Sequence, residues 1–325
     1  MLLRRTGVTL LFCLLFSPCF AEEKEIAITI DDLPFVGSGT STPASLKRTQ
    51  DRFRALVKTL VDNQVPATGF AIGGAVAKNE WDLLEAFRDQ GFSIGNHTYT
   101  HNSLNGMSAE KYIADIDRAG RVLARVMTEP KYFRYPYLAE GTGQKKQKVH
   151  DYLAQNQYTI APVTIDSKDY EFNARFYKIP YRKRAQNLES FKKRYLAYIW
   201  KQTLLAERHT KKYGQPAKQI LLIHANLLNS LCLEDIIKLY RKNGYKFISL
   251  ADALRENSPQ PLNNAEGISN MSGPTAKEIE KNAAINTTKV KQLHSPLLST
   301  AYQGFFVSPI PEKTNKPMRK IAEKK

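Results

Sequence analysis

Cysteine is nearly absent: the 325 residues hold three, Cys13, Cys19 and Cys232. The first two fall in a leader-like start, so a chain cut after Ala21 keeps Cys232 alone and forms no intramolecular disulfide. That excludes a disulfide-stapled scaffold, and a chain of this length can rely on its core instead. Cys232 lies among Leu231, Leu233 and Ile236 and reads as a buried apolar residue. Long apolar runs are missing beyond the start, and a mean hydropathy of −0.42 excludes a multi-span membrane protein. Acid is in the minority, 31 Asp and Glu against 48 Lys and Arg, for a net charge of +17. Such an excess suits an anionic partner surface. It gathers in residues 175–194 and in the C-terminal stretch without an interleaved aromatic stripe. Most of it reads as a solvated face, and no nucleic acid partner is expected.

The start itself carries a targeting pattern. Arg4 and Arg5 precede the apolar run Val8–Phe16, and Ser17–Ala21 leads into the polar Glu22-Glu23-Lys24-Glu25. The pattern is a signal peptide over residues 1–21, too short in its apolar part for a spanning helix of roughly 20 residues. The expectation is export to the periplasm or beyond, with no transmembrane span after processing. Residues 22–257 then form one domain. Residues 258–325, rich in Pro, Asn, Ser, Thr and Lys, form a low-complexity basic tail that could meet an anionic envelope surface.

Within the domain, short apolar runs alternate with amphipathic stretches. Strands are expected at Ile26–Ile30, Thr68–Ile72, Phe92–Gly95, Tyr132–Arg134, Thr159–Ala161, Gln219–Ile223 and Phe247–Ser249. Helices are expected at Leu46–Val61, Trp81–Gln90, Ala109–Met127, Lys146–Gln155, Leu188–Tyr213 and Leu233–Lys242. Ser249 and Asp252 are expected to cap a short last helix. The alternation predicts βα units and a parallel sheet, about seven units curled into a distorted (β/α)7 barrel; a doubly wound sheet is the alternative. Chemistry then belongs at the C-terminal strand ends.

Those ends carry the polar residues. Asp31 and Asp32 close the first strand, His97 and His101 follow the third, and Arg134 ends the fourth. Asp166 and Asp169 follow the fifth, and His224 ends the sixth. A carboxylate pair closing a strand is usually a turn feature, and a His pair four apart is usually a surface feature. Placed on a helical turn, however, His97 and His101 would face one side, and two imidazoles plus a carboxylate suit a catalytic Zn²⁺ site. His150, His209 and His294 lie away from strand ends.

Taken together, these motifs resemble the NodB-homology family, the polysaccharide deacetylases of carbohydrate esterase family 4. Thr29-Ile30-Asp31-Asp32-Leu33-Pro34 is similar to its first motif, His97-Thr98-Tyr99-Thr100-His101 to its His-Ser/Thr-x-x-His, and Arg134-Tyr135-Pro136-Tyr137 to its Arg-x-Pro-Tyr. Asp166-Ser167-Lys168-Asp169-Tyr170 looks like its Asp-x-x-Asp-Trp, and Leu221-Leu222-Ile223-His224 like its last motif. Leu33, Tyr170 and Ala225 depart from the family's usual Gly, Trp and Asp, and they bear on substrate choice. The Lys- and Arg-rich stretch from Lys168 to Lys218 also looks longer than the usual connection.

The resemblance implies a role for each residue. Asp32, His97 and His101 would hold a divalent metal, Zn²⁺ first among candidates, and Asp31 would be the general base, oriented by Arg134. The Tyr137 backbone N–H would stabilise the oxyanion. His224, oriented by Asp169, would protonate the leaving amine, and Leu222 would line the acetyl pocket. The implied reaction removes N-acetyl groups from an amino-sugar polysaccharide of peptidoglycan, chitin or exopolysaccharide type and releases acetate. The alternatives are another metal-dependent amidase or O-acetyl esterase on this scaffold, or a non-catalytic envelope glycan binder.

Overall fold

A computed structural model describes residues 23–35, 42–212 and 218–255. The expected leader (1–21), the expected tail (258–325), Cys13, Cys19 and His294 lie outside the described residues. Among the described residues no helix is long and apolar enough to cross a membrane.

The strands are β1 (Lys24–Leu33), β2 (Ala67–Ala71), β3 (Ser93–Asn96), β4 (Tyr132–Phe133), β5 (Thr159–Ile160), β6 (Ile165–Asp166), β7 (Lys218–His224) and β8 (Tyr245–Phe247). The helices are α1 (Pro43–Asp62), α2 (Trp81–Asp89), α3 (Ala109–Leu123), α4 (Gly143–Gln155), α5 (Asp169–Lys178), α6 (Tyr181–Lys212), α7 (Leu227–Lys242) and α8 (Leu250–Leu254). The sheet runs β5-β4-β3-β2-β1-β7-β6, with β8 beside the start of β1. Every ladder is parallel. The result is a curled half-barrel with helices outside.

Strand β1 explains the layering. Its side chains alternate between faces, as a pleated strand requires. Ile26, Ile28 and Ile30 point outward into the main core with Phe53 and Leu56 of α1 and Ile236 of α7. Each such side chain contributes roughly 1.5–3 kcal/mol on full burial. Ala27 points inward, where it joins Phe70, Tyr132, Ile220, Ile248 and Leu250 in a second apolar cluster. That cluster floors the barrel, so the polar residues two and four positions further along β1, Thr29 and Asp31, stand above an apolar base.

Several element bounds differ from the sequence expectation for local reasons. Helix α7 begins at Leu227, six residues before the expected Leu233, because the Asn226 side chain accepts the Asn229 N–H at 2.9 Å and caps it. The basic stretch makes a separate α5 before α6, and α6 opens at Tyr181 instead of Leu188. After β5 the chain passes Pro162, which has no N–H to donate, and a further strand β6 intervenes before Asp169, so His224 ends the seventh strand and not the sixth. The last strand stops at Phe247 because the Ser249 hydroxyl already accepts the Asp252 N–H at 3.1 Å to cap α8, the pairing expected from sequence. Cys232 is fully buried in the main core, and burial pushes its thiol up to about 12.

Gly95 of β3 permits a close approach inside the barrel. A Cβ there would meet the Phe70 ring and the Tyr132 carbonyl oxygen, each at 2.8 Å. Gly95→Ala is expected to lose about 1–3 kcal/mol in urea denaturation; an unchanged midpoint would show that the approach has room to spare.

Candidate active site

The polar layer above the floor is built around Arg134, which follows β4 and is fully buried. Its guanidinium donates to Asp31 Oδ1 at 2.9 Å, Thr29 Oγ1 at 2.6 Å, and the carbonyls of Ala161 at 3.2 Å and Pro162 at 3.1 Å. Beneath it lies the Phe70 ring, 4.4 Å from the guanidinium carbon. Thr29 in turn donates its hydroxyl hydrogen bond to the Leu221 carbonyl at 2.7 Å. The partners of Arg134 thus come from β1 and the segment after β5, and Thr29 extends the network to β7, which ties these parts of the sheet together at this level.

Asp31 and Asp32 are adjacent yet both buried on the site face. Strict alternation would send Asp32 to the outer face. Instead Asp32 takes a left-handed φ of 61°, and the β1–β2 register shifts between Ile30 and Leu33. This break brings both carboxylates to His97, whose Nε2 stands 3.7 Å from Asp31 Oδ2 and 3.5 Å from Asp32 Oδ1. His101 Nε2 stands 3.1 Å from the same Asp32 oxygen.

The His97–His101 segment is not the helical turn expected from the spacing. It is a loop with left-handed Thr98 and His101, φ 63° and 57°. Its shape comes from side chains acting as backbone partners. Asn96 accepts the Thr98 N–H at 2.8 Å, and Thr98 Oγ1 accepts the His101 N–H at 3.0 Å. From α3, Asp115 accepts the N–H groups of Tyr99 at 3.2 Å and Thr100 at 3.0 Å. Asn96 and Asp115 had no signal in the sequence beyond being polar residues beside apolar ones.

Asp32, His97 and His101 each offer one ligand atom, all within 4.8 Å of one another. The donor set fits a divalent metal. A carbonyl can only accept, so the Arg134 carbonyl 2.9 Å from His97 Nδ1 assigns the proton to Nδ1 and leaves Nε2 a lone pair facing the site. Burial pushes His97 down to about 4, keeping the imidazole neutral. Burial raises the Asp32 carboxyl, but His101, His224 and His97 around it outweigh that and hold it well below the usual range.

His224, at the end of β7, faces the trio from the other side, its Nε2 4.0 Å from Asp32 Oδ2. Asp169, first residue of α5, is fully buried behind it and accepts His224 Nδ1–H and His224 N–H, both at 2.7 Å. Asn226 and Asn229 also donate to Asp169. Burial lowers the His224 imidazole, but Asp169, Asp32 and Asp31 push it up to about 10. The two asparagines escaped the sequence reading; a polar pair at the opening of a helix was its only trace.

Leu222 lies two residues before His224 on the same strand face and is 5% exposed. Tyr137 sits in the turn Pro136–Leu138 with a left-handed φ of 58°, its ring edge-on to His101 at 4.8 Å. Asp166 stays apart: its Oδ1 accepts the Lys168 N–H at 2.9 Å and its Oδ2 pairs with Lys168 Nζ at 3.0 Å. His150 packs on the Tyr135 ring at 6.1 Å and does not join the trio.

Residues 21–161 match the family model of polysaccharide deacetylases. Over 153 residues the chain is 32% identical to a chitin deacetylase of Colletotrichum lindemuthianum, covering 46% of this chain and 54% of that protein. It is 26% identical over 151 residues to a peptidoglycan-N-acetylglucosamine deacetylase of Bacillus cereus, covering 46% and 48%. The chain thus spans about half the length of these curated relatives. Among solved structures, a pseudoenzyme of carbohydrate esterase family 4 from Bacillus anthracis aligns with a TM-score of 0.50 at 18% identity, over 72% of this chain and 66% of that one. That likeness is one of fold alone.

The Arg134 arrangement carries its own test. Arg134→Met leaves Asp31 buried without its charge partner and is expected to cost about 3–5 kcal/mol in chemical denaturation. Removing both charges, with Arg134→Met and Asp31→Leu together, is expected to recover part of that. A single variant as stable as the parent would mean that Asp31 does not depend on the pair.

Proposed function

We propose that this chain, whose residues 21–161 match the polysaccharide deacetylase family model, hydrolyses N-acetyl groups on an amino-sugar polysaccharide and releases acetate. The observation that carries the reading is the division between adjacent carboxylates: Asp31 is held by Arg134, Asp32 by His101. One carboxylate is thus positioned to move a proton while the other serves as a ligand.

In this reading Asp32, His97 and His101 hold a divalent metal, Zn²⁺ being the ion their carboxylate and imidazole donors suit best. When bound, the ion polarises the acetamide carbonyl and acidifies water. Asp31 takes the proton from the attacking water, and Arg134 keeps its carboxylate aimed at the site. The Tyr137 backbone N–H donates to the oxyanion that forms as water oxygen bonds to the carbonyl carbon. His224 gives a proton to the amide nitrogen as the C–N bond breaks, and Asp169 holds the ring for that transfer. Leu222 supplies apolar surface beside His224 for the acetyl methyl. The products are acetate and a free amino sugar.

The polymer is chitin-like or peptidoglycan-like in this proposal, after the activities for which the two relatives are named. We further propose export, resting on Arg4, Arg5 and the apolar run Val8–Phe16.

Acetate release from chitin oligomers, peptidoglycan and acetylated xylan, each with and without chelator, tests the reaction. Chelator-sensitive acetate from an N-acetylated substrate is expected. Acetate from xylan alone would assign an O-acetyl esterase, and none from any substrate would remove the enzymatic reading. Asp31→Asn is expected to lower kcat/KM by about 100- to 10,000-fold with metal content unchanged; loss of metal along with activity would merge the two roles. His101→Ala should come off a metal-affinity titration without a bound ion, whereas a tightly held ion would sink its assignment as a ligand.

A further inference from the structure

Helix α6 is the largest feature that the catalytic reading leaves unused. Its 32 residues hold ten Lys and Arg against two Glu. Both acids are engaged: Glu189 with Lys192 at 3.0 Å, and Glu207 with Lys24 at 2.7 Å. Phe191, Tyr195, Ile199, Thr203 and Thr210 bury the opposite side. Arg182, Lys193, Arg194, Lys201, Arg208 and Lys211 are exposed, and ion-pair partners for them are absent among the described residues. At about 100° per residue these six fall within an arc of about 120°, opposite the buried side. From Arg182 to Lys211 the row is roughly 44 Å long at the rise of an α-helix.

The helix is also oriented with respect to the site. Tyr195 donates to Asn229 at 2.9 Å, the residue that in turn donates to Asp169 behind His224. Glu207, further along, accepts from Tyr245 at 2.7 Å at the start of β8. The helix therefore runs from the catalytic end of the barrel towards the opposite end, and Arg182, Lys193 and Arg194 lie on its catalytic half.

We propose that the outward face of α6 is a docking rail for a linear acidic glycan. A row of uncompensated cations this long has too much reach for a small anion and matches repeated negative charge along a strand. An anionic membrane fits less well. A helix lying in a lipid interface inserts a broad apolar face, whereas the apolar side of α6 is mostly spent in the protein core, leaving only Tyr181, Leu204 and Leu205 as large exposed apolar residues among the described residues of the helix. The charge argument stands apart from the catalytic reading; only the choice of a glycan among polyanions rests on it.

The test uses the full chain and polygalacturonate as probe, with neutral hydroxyethyl cellulose and phosphatidylglycerol vesicles beside it. A triple reversal on the rail, Lys193→Glu with Arg194→Glu and Lys201→Glu, is compared with a matched reversal elsewhere, Arg48→Glu with Lys111→Glu and Lys242→Glu. All six positions are exposed, and thermal melts check that each variant folds. The parent is expected to bind polygalacturonate and not the neutral polymer, with affinity falling steeply between about 50 and 300 mM NaCl. The rail variant should weaken binding about tenfold or more, and the matched variant much less. Equal losses in the two variants would make net charge the cause and overturn the rail. No loss in the rail variant, or parental binding to vesicles in preference to polygalacturonate, would overturn it as well. Because the readout is binding and not acetate, failure here leaves the catalytic reading standing, and failure of the acetate assay leaves this result readable.

Discussion

A buried guanidinium organises this molecule. Taking a charge out of water is expensive, and the cost is met only when each donor finds a partner. Arg134 finds four acceptors contributed by β1 and the segment after β5. Its own carbonyl fixes the His97 ring. One residue thus aligns the Asp31 carboxylate through its side chain and the His97 imidazole through its backbone. Its place above Phe70 keeps both on the apolar floor of the barrel. A lysine there could offer neither the planar spread of donors nor the contact with the ring face.

The same site needs backbone conformations that ordinary strands and helices do not supply. Asp32, Thr98, His101, Tyr137 and Lys168 all take left-handed φ values, and all follow or border the C-terminal strand ends around the candidate site. For non-glycine residues this region is uncommon and costs free energy that surrounding contacts must offset. Here the offsets are visible: Asn96, Thr98 and Asp115 hold the His97–His101 loop, and Asp166 holds the Lys168 backbone. The strain follows from the task. Two consecutive carboxylates cannot face one cavity from a regular strand, so the strand has to break at Asp32 to present both.

This is also where reading the sequence succeeds and where it stops. The β1 run Ile26–Ile30 and the amphipathic spacing of α1 are periodic signals, and both appear close to where periodicity places them. The strand-end placement of Asp31, His97, Arg134 and His224 is equally legible, because the alternation of strands and helices orders the strand ends along the chain. The loop geometry is not legible. Spacing alone favoured a helical turn for His97 and His101, since i and i+4 share a face in a helix. The chain reaches a similar convergence by another route, with Thr98 folding back on His101 and Asp115 reaching from a helix that begins eight residues after His101. Asn226 and Asn229 were missed for a related reason: Asn226, helix cap and donor to Asp169 at once, and Asn229, a second donor to it, look in sequence like any polar residues at a helix start.

Two imidazoles in one cavity, His97 and His224, are pushed in opposite directions, and the reason lies in what sits behind each ring. His97 backs onto a neutral carbonyl, so burial wins and the ring stays uncharged. His224 backs onto Asp169, a fully buried carboxylate, so the ion pair outweighs burial and the ring carries its proton. Asp169 cannot be an isolated buried charge; Asn226, Asn229 and the His224 backbone N–H complete its hydrogen bonds. The opposite shifts of His97 and His224 are therefore set one layer out from the cavity, by a carbonyl in one case and by a buried, hydrogen-bonded carboxylate in the other.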